Sequence, residues 1–144
     1  MQLMPATATA MATDLQLIDT EKLALFDPVL NLTLAQRYVS KLLKDPNVKG
    51  DIIMLAVAYN AGPGNLAKYR ATGSYEKDPL LFMESIPGAE TRQFIERVLT
   101  NYWLYQDCMG QKRPTLDALA SGGWPIYKAP VAPAQTAAVE NGTY

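Results

Sequence analysis

Histidine is absent from this 144-residue chain, and its absence removes a large block of chemistry. No Ser-His or Cys-His pair can form, no imidazole can ligate a metal, and no imidazole base is at hand near neutral pH. The single cysteine, Cys108, can neither close an internal disulfide nor assemble a thiolate metal site. A surplus of one charge is also lacking. Thirteen basic and fourteen acidic side chains leave a net charge of −1 with no dense Lys/Arg run, which argues against a nucleic-acid partner held by a strong basic field. No apolar run approaches the length of a membrane span. The N-terminus has no basic region followed by an apolar stretch, so no signal peptide is read in it. Acid–base chemistry therefore falls to carboxylates, tyrosine or lysine, and no metal or other cofactor is expected.

What remains is an ordinary globular composition, 49% hydrophobic, in a chain long enough for one domain with a real core. The patterning is helical. Pro5 suits a helix start, with Ala6 to Asp14 as a short helix behind it. Asp19-Thr20-Glu21 and Asp27-Pro28 are turn signals, with Phe26 expected to anchor that loop in the core. Leu30, Leu34, Tyr38 and Leu42 recur at helical spacing and predict a helix over 31–44, capped by Asn31, with Arg37, Lys41 and Lys44 on the other face. A second helix over 51–61, capped by Asp51, has no charge from Ile52 to Ala58 and should lie at the centre of the domain. A shorter helix over 63–71 follows. Residues 74–89 read as a loop with one turn near Leu80-Leu81-Phe82. A long helix runs from about Ala89 to Met109, with Phe94, Val98, Tyr102 and Tyr105 on one face and Glu90 in its first turn. No strand alternation and no internal repeat are present, so the fold class is mainly α. Residues 1–112 form the expected domain. Residues 113–144 are a Pro/Ala-rich extension in which Trp124 can fold back, with a flexible tail expected beyond about Lys128.

The chain turns on Met54–Asn65. Here an apolar helix reaches Tyr59-Asn60, stops at Gly62 and restarts at Pro63. Glycine takes positive φ without a Cβ penalty, and proline suits the first position of the next helix. A polar aromatic and an amide on such a corner can line a cleft, or can merely satisfy local backbone groups. Gln2 and Met4 lie on another corner, and Glu84-Ser85 with Glu90 on a third. Each has a plain structural account: Met4 as core filler, Gln2 as a surface amide, Glu84 as a surface charge, and Tyr102 with Trp103 and Tyr105 as core. Glu90 reads as a helix-start charge with Arg92 or Lys68 as partner, and Ser85 has no base to activate it.

Together the three corners are more specific. Met1-Gln2-Leu3-Met4-Pro5-Ala6-Thr7-Ala8 resembles the Met-Gln-Leu-Met-Pro motif of the soluble lytic transglycosylase family. Ala58-Tyr59-Asn60-Ala61-Gly62-Pro63-Gly64 is similar to its Ala-Tyr-Asn-Ala-Gly-Pro-Gly motif, and Glu84-Ser85-Ile86-Pro87 with Glu90-Thr91-Arg92 to its third. Asp27-Pro28 and Asn31 match a segment between the first two, and order and spacing agree over about residues 1–105. The resemblance implies a lysozyme-like helical domain that cleaves the β-1,4 bond between N-acetylmuramic acid and N-acetylglucosamine in peptidoglycan. The family product is a 1,6-anhydro sugar, made by one glutamic acid serving first as acid and then as base. By the same resemblance Gln2, Met4, Tyr59, Asn60 and Glu84 line the glycan cleft, with Tyr102 a weaker candidate. Tyr59 would hydrogen-bond near the catalytic carboxyl.

The family's general acid lies on a helix upstream of the Met-Gln-Leu-Met-Pro motif, and the chain starts inside that motif. Glu21, Glu76, Glu84 and Glu90 do not stand in its place, so no residue of this chain is assigned as catalytic. Two expectations follow: the N-terminal catalytic helix is missing from this chain, and part of the apolar face of Ile52 to Ala58 is left uncovered. The expected partner is the peptidoglycan glycan strand, the expected state a monomer, and the expected place the periplasm or cell envelope. Alternatives are a peptidoglycan-binding module without activity, or a lysozyme-type hydrolase on the same fold.

Overall fold

A computed structural model describes residues 3–12, 26–72 and 78–128. Among them it shows seven helices and no strand: α1 Pro5–Met11, α2 Pro28–Leu43, α3 Ile52–Ala61, α4 Pro63–Ala71, α5 Pro79–Ser85, α6 Ala89–Cys108 and α7 Pro114–Ala120. The mainly α class expected from the periodicity is the class observed. No helix of the described residues is long and apolar enough to cross a membrane.

α3 is the organising element. Ile53, Val57 and Ala58 are fully buried and Ile52, Met54 and Ala56 nearly so. Leu55 alone of this stretch is partly exposed, so the expected uncovered face is reduced to that one side chain. α6 and α4 pack most closely on α3, α2 lies on it as well, and Phe82 and Ile86 from the α5 region join the same core. Each fully buried large aliphatic side chain stabilises the fold by roughly 1.5–3 kcal/mol, which makes α3 the densest source of stability in the domain. A smaller cluster joins α1 to α2 through Leu3, Ala8, Ala12, Leu34 and Ala35, with Tyr38 packed against both clusters. Arg37 ties the same pair by donating from Nη1 to the Met11 carbonyl at 3.2 Å.

Several boundaries differ from the sequence expectation. α2 begins three residues before Asn31, because Asp27 is the true cap: its carboxylate accepts from Leu30 N at 2.8 Å, and Pro28 fills the first helical position. Phe26 is 80% exposed rather than a core anchor, since it stands ahead of that cap and off the stripe that Leu34 and Leu42 bury. The stretch read as a loop contains α5, started by Asp78, whose carboxylate accepts from Leu80 N and Leu81 N at 2.9 and 3.0 Å. A short helix held by one aspartate cap and one N1 proline leaves too little periodicity to be seen from the sequence.

The segment after α6 folds back onto the core. Trp103 Nε1 donates to Thr115 Oγ1 at 3.0 Å, Leu119 enters the main cluster, and the Trp124 ring lies 6.0 Å from Phe82. Ile52 N donates to the Pro125 carbonyl at 3.1 Å and Tyr127 N to the Gly50 carbonyl at 2.8 Å, so residues 125–127 cover the start of α3. Asp51 sits under that cover, 4% exposed, and its Oδ1 accepts from Ile53 N and Met54 N at 2.8 and 2.9 Å. Burial pushes its carboxyl up to about 6, against the pull of those two N–H groups and of the Arg70 charge. The tail expected beyond Lys128 lies outside the described residues.

Candidate functional site

The α3–α4 corner has the geometry its sequence implies. Gly62 takes φ 89° and ψ 152°, a region open almost solely to glycine, and it ends α3 and begins α4 in one residue. Asn65 closes the corner from the α4 side, donating from Nδ2 to the Ala61 carbonyl at 2.8 Å. The turn is so tight that Tyr59 and Asn60 stay on the final turn of α3 with no intervening loop.

Tyr59 is half-buried in an aromatic row. Its ring lies parallel to Phe94 of α6 with centroids 6.2 Å apart, and tilted by 50° against Tyr38 of α2 at 5.5 Å. Three helices therefore hold one phenol ring. Its hydroxyl is buried and has no hydrogen-bond partner among the described residues. Burial raises the Tyr59 pKa, with a further push from Tyr38, so the group is a neutral phenol with one proton to donate. A buried hydroxyl with no partner forfeits roughly 1–3 kcal/mol.

Asn60 is exposed, and its Oδ1 accepts from the Thr91 hydroxyl at 2.8 Å. Thr91 is itself buried near the start of α6. Beside it, the Arg92 guanidinium donates to the Ile86 carbonyl, which holds the α5–α6 connection against the helix. Arg92 therefore serves backbone rather than a carboxylate here.

The remaining sequence candidates fall in different places. Gln2 lies outside the described residues. Met4 is the residue before α1 and is 72% exposed, so it is not core filler. Glu84 is an exposed carboxylate on the last turn of α5, and its neighbour Ser85 returns its hydroxyl to the Phe82 carbonyl at 2.7 Å. Tyr102 stands eight residues beyond Phe94 on α6, about 12 Å along the axis at 1.5 Å per residue. Its hydroxyl accepts from Gln106 Nε2 at 3.2 Å, and burial together with Tyr127 raises its pKa. The contacts thus join Tyr59 and Asn60, neighbours in sequence, each to the first turns of α6, while Tyr102 is engaged elsewhere.

Sequence reasoning missed Tyr38, Phe94 and Thr91 as parts of this corner. Tyr38 and Phe94 sat on apolar faces at helical spacing, which reads as core and gives no hint of a shared partner. Thr91 did carry a signal, since it lies within the quoted Glu-Thr-Arg motif, but a threonine in a first helical turn usually serves its own helix.

Residues 1–81 match the family described as Transglycosylase SLT domain. The soluble lytic murein transglycosylase of Salmonella typhimurium is 32% identical over 113 residues, 78% of this chain and 17% of that protein. The soluble lytic murein transglycosylase of Escherichia coli K12 is 32% identical over 124 residues, 85% of this chain and 19% of that protein. A Haemophilus influenzae relative is 34% identical over 119 residues, 81% of this chain and 19% of its own length. The chain therefore spans about a fifth of the length of the curated relatives it matches. No solved structure matches it significantly.

Proposed function

The chain belongs to the transglycosylase SLT domain family, and from that premise we propose that it forms one wall of a peptidoglycan-binding cleft in a lytic transglycosylase of lysozyme-like fold. The observation that carries the reading is the Tyr59–Asn60 corner. A neutral phenol with no partner among the described residues and an exposed amide follow one another at the end of α3, the phenol ring packed against α2 and α6, on residues that match the family motif. Such a pair suits a polar, uncharged ligand rich in hydroxyl and acetamido groups, which is what an N-acetylated glycan strand presents.

The proposed reaction of the family domain is cleavage between N-acetylmuramic acid and N-acetylglucosamine with formation of a 1,6-anhydro end. The carboxyl protonates the bridging oxygen as the glycosidic bond breaks. It then takes the proton from the 6-hydroxyl of the muramyl unit as that oxygen closes on the anomeric carbon, so no water is consumed. The role of Tyr59 is to line the cleft where it can hydrogen-bond near that carboxyl. Gln2, Met4, Tyr59, Asn60 and Glu84 line the strand-binding cleft, with Tyr102 a more distant contact. No residue of this chain is assigned as the proton donor: Glu84 and Glu90 are exposed, and neither partners the Tyr59 hydroxyl. Assayed by itself, the 144-residue chain is expected to bind murein as a monomer and to release little or nothing. Its proposed setting is the periplasm or cell envelope, where the glycan is.

With Glu84 and Glu90 both exposed, a second reading is a module that holds glycan without cutting it. Incubation with purified murein sacculi, followed by mass spectrometry of the supernatant, tests whether the chain by itself cuts the strand. Bound protein with no soluble product supports the assignment made here. Anhydro-muropeptides would place a working carboxyl within the chain and overturn that part of it. Reducing ends would instead identify a lysozyme-type hydrolase.

A further inference from the structure

Thr91 is a polar side chain, 8% exposed, on the face of α6 that otherwise buries Ile95 and Leu99. Helical threonines commonly return their hydroxyl hydrogen to the carbonyl four residues back. Thr9 and Thr33 of this chain do so, to Pro5 and Val29 at 3.1 and 2.8 Å. Thr91 instead donates across helices to Asn60 Oδ1 at 2.8 Å, 31 residues away in sequence.

The consequence lies on Asn60. An exposed asparagine amide turns freely about its last torsion and can exchange the places of its oxygen and nitrogen. The buried Thr91 hydroxyl, 2.8 Å from Oδ1, tethers that amide to α6. The oxygen is turned toward α6, and both Nδ2 hydrogens are left for an acceptor outside, since no described residue accepts from them. Burial of Thr91 matters as much as the distance, because water does not compete readily for a hydroxyl in the helix interface. The same first turns of α6 carry Phe94 against the Tyr59 ring and Arg92 onto the Ile86 carbonyl, so the donor is set in a braced element.

We infer that Thr91 is a positioning residue that orients the Asn60 amide as a donor to an acceptor oxygen of an N-acetylated glycan. The inference rests on the reading of the Tyr59–Asn60 corner as a glycan wall. Thr91 touches no ligand itself and acts only through Asn60.

The test uses the full 144-residue chain, the N-acetylglucosamine tetramer as probe, and the variants Thr91→Val, Thr91→Ser, Asn60→Ala and the double variant Thr91→Val/Asn60→Ala. Thr91→Val keeps the branched shape and loses the hydroxyl; Thr91→Ser keeps the hydroxyl. Loss of one orienting hydrogen bond is expected to weaken tetramer binding about tenfold in Thr91→Val, with recovery to within about threefold of wild type in Thr91→Ser. In the Asn60→Ala background, Thr91→Val should change affinity by less than about twofold, because the residue it acts through is gone. The side-chain NH2 resonances of Asn60 in a ¹⁵N-correlated NMR spectrum give a readout that needs no ligand: they should move in Thr91→Val and stay in place in Thr91→Ser. Equal weakening by Thr91→Val with and without Asn60 overturns the inference, as do unmoved Asn60 resonances or unchanged affinity in Thr91→Val. Wild-type chain that fails to bind the tetramer overturns the glycan reading and this inference together. Wild-type binding with a silent Thr91→Val overturns this inference alone.

Discussion

Replacing Asp51 by asparagine tests how the burial at the start of α3 couples to pH. The native carboxyl is 4% exposed, and its pKa rises from the ordinary 3.8 to about 6, chiefly because burial penalises the charge. Between those two values the folded chain keeps a proton that the unfolded chain has already lost. The unfolded state then binds fewer protons, so the contribution of Asp51 to stability is fully present below about pH 3.8 and is lost as pH rises through about 6. At about 1.4 kcal/mol per pH unit, the contribution falls by roughly 3 kcal/mol across the window. Asparagine carries no charge at any of these pH values and is an equally good cap, able to accept from Ile53 N and Met54 N as Asp51 does. The assay is urea unfolding followed by far-ultraviolet circular dichroism, on wild type and Asp51→Asn in parallel, at several pH values from about 4 to about 7.5. Other carboxylates titrate in the same range, so the difference between the two proteins is what matters. Wild-type stability relative to the variant should fall by about 2.5 kcal/mol between about pH 4 and about pH 7.5, part of the full change lying below pH 4. A difference that stays constant within about 0.5 kcal/mol across that range would refute the reasoning, because it would mean that Asp51 ionises in the fold as it does in the open chain.

Three further outcomes are expected. Tyr59→Phe deletes a buried hydroxyl that has no described partner; the 144-residue chain should keep or gain up to about 1 kcal/mol in urea unfolding. A loss beyond about 1 kcal/mol would show that the hydroxyl is satisfied in the free chain. Gly62→Ala meets no atom within 4 Å of the added Cβ, yet it must hold φ 89°; stability should fall by about 1–3 kcal/mol from backbone strain alone, read by thermal unfolding. Trp124→Ala removes the ring packed 6.0 Å from Phe82 and should cost about 2–4 kcal/mol. Near-neutral thermal unfolding of that variant would mean that residues 124–127 are not part of the cooperative unit.

The helices most legible in the sequence were those whose signal is periodic and long. The buried α3 and the amphipathic α6 follow from apolar spacing, and the aspartate ahead of α3 announces its start. α5 and α7 were missed because seven residues give too few repeats for a period, and their evidence is a cap and a proline. Asn31 lost the cap to Asp27 because a proline at the first helical position outweighs a later polar residue as a start signal. At the site, Tyr59 and Asn60 were legible from the Gly62-Pro63 corner and the motif around it. Their supports were not: Tyr38 and Phe94 meet the same ring from α2 and α6, and the bond from Thr91 to Asn60 spans 31 residues. No local spacing encodes a contact made by three helices closing on one corner. Phe26 fails for the converse reason, since an aromatic residue ahead of a cap has no fixed partner face, and it is 80% exposed.

The central claim, that the Tyr59–Asn60 corner holds peptidoglycan glycan, is tested most directly by co-sedimentation of the purified 144-residue chain with murein sacculi, comparing wild type with Asn60→Ala. Asn60→Ala leaves the buried Thr91 hydroxyl without its acceptor and should cost about 1–3 kcal/mol, so a thermal melt run alongside establishes that the variant is folded. Wild-type protein is expected in the pellet, in saturable fashion, with Asn60→Ala shifted about tenfold or more toward the supernatant. Wild-type protein that remains in the supernatant, or pellets to the same extent as a folded Asn60→Ala variant, would contradict the account.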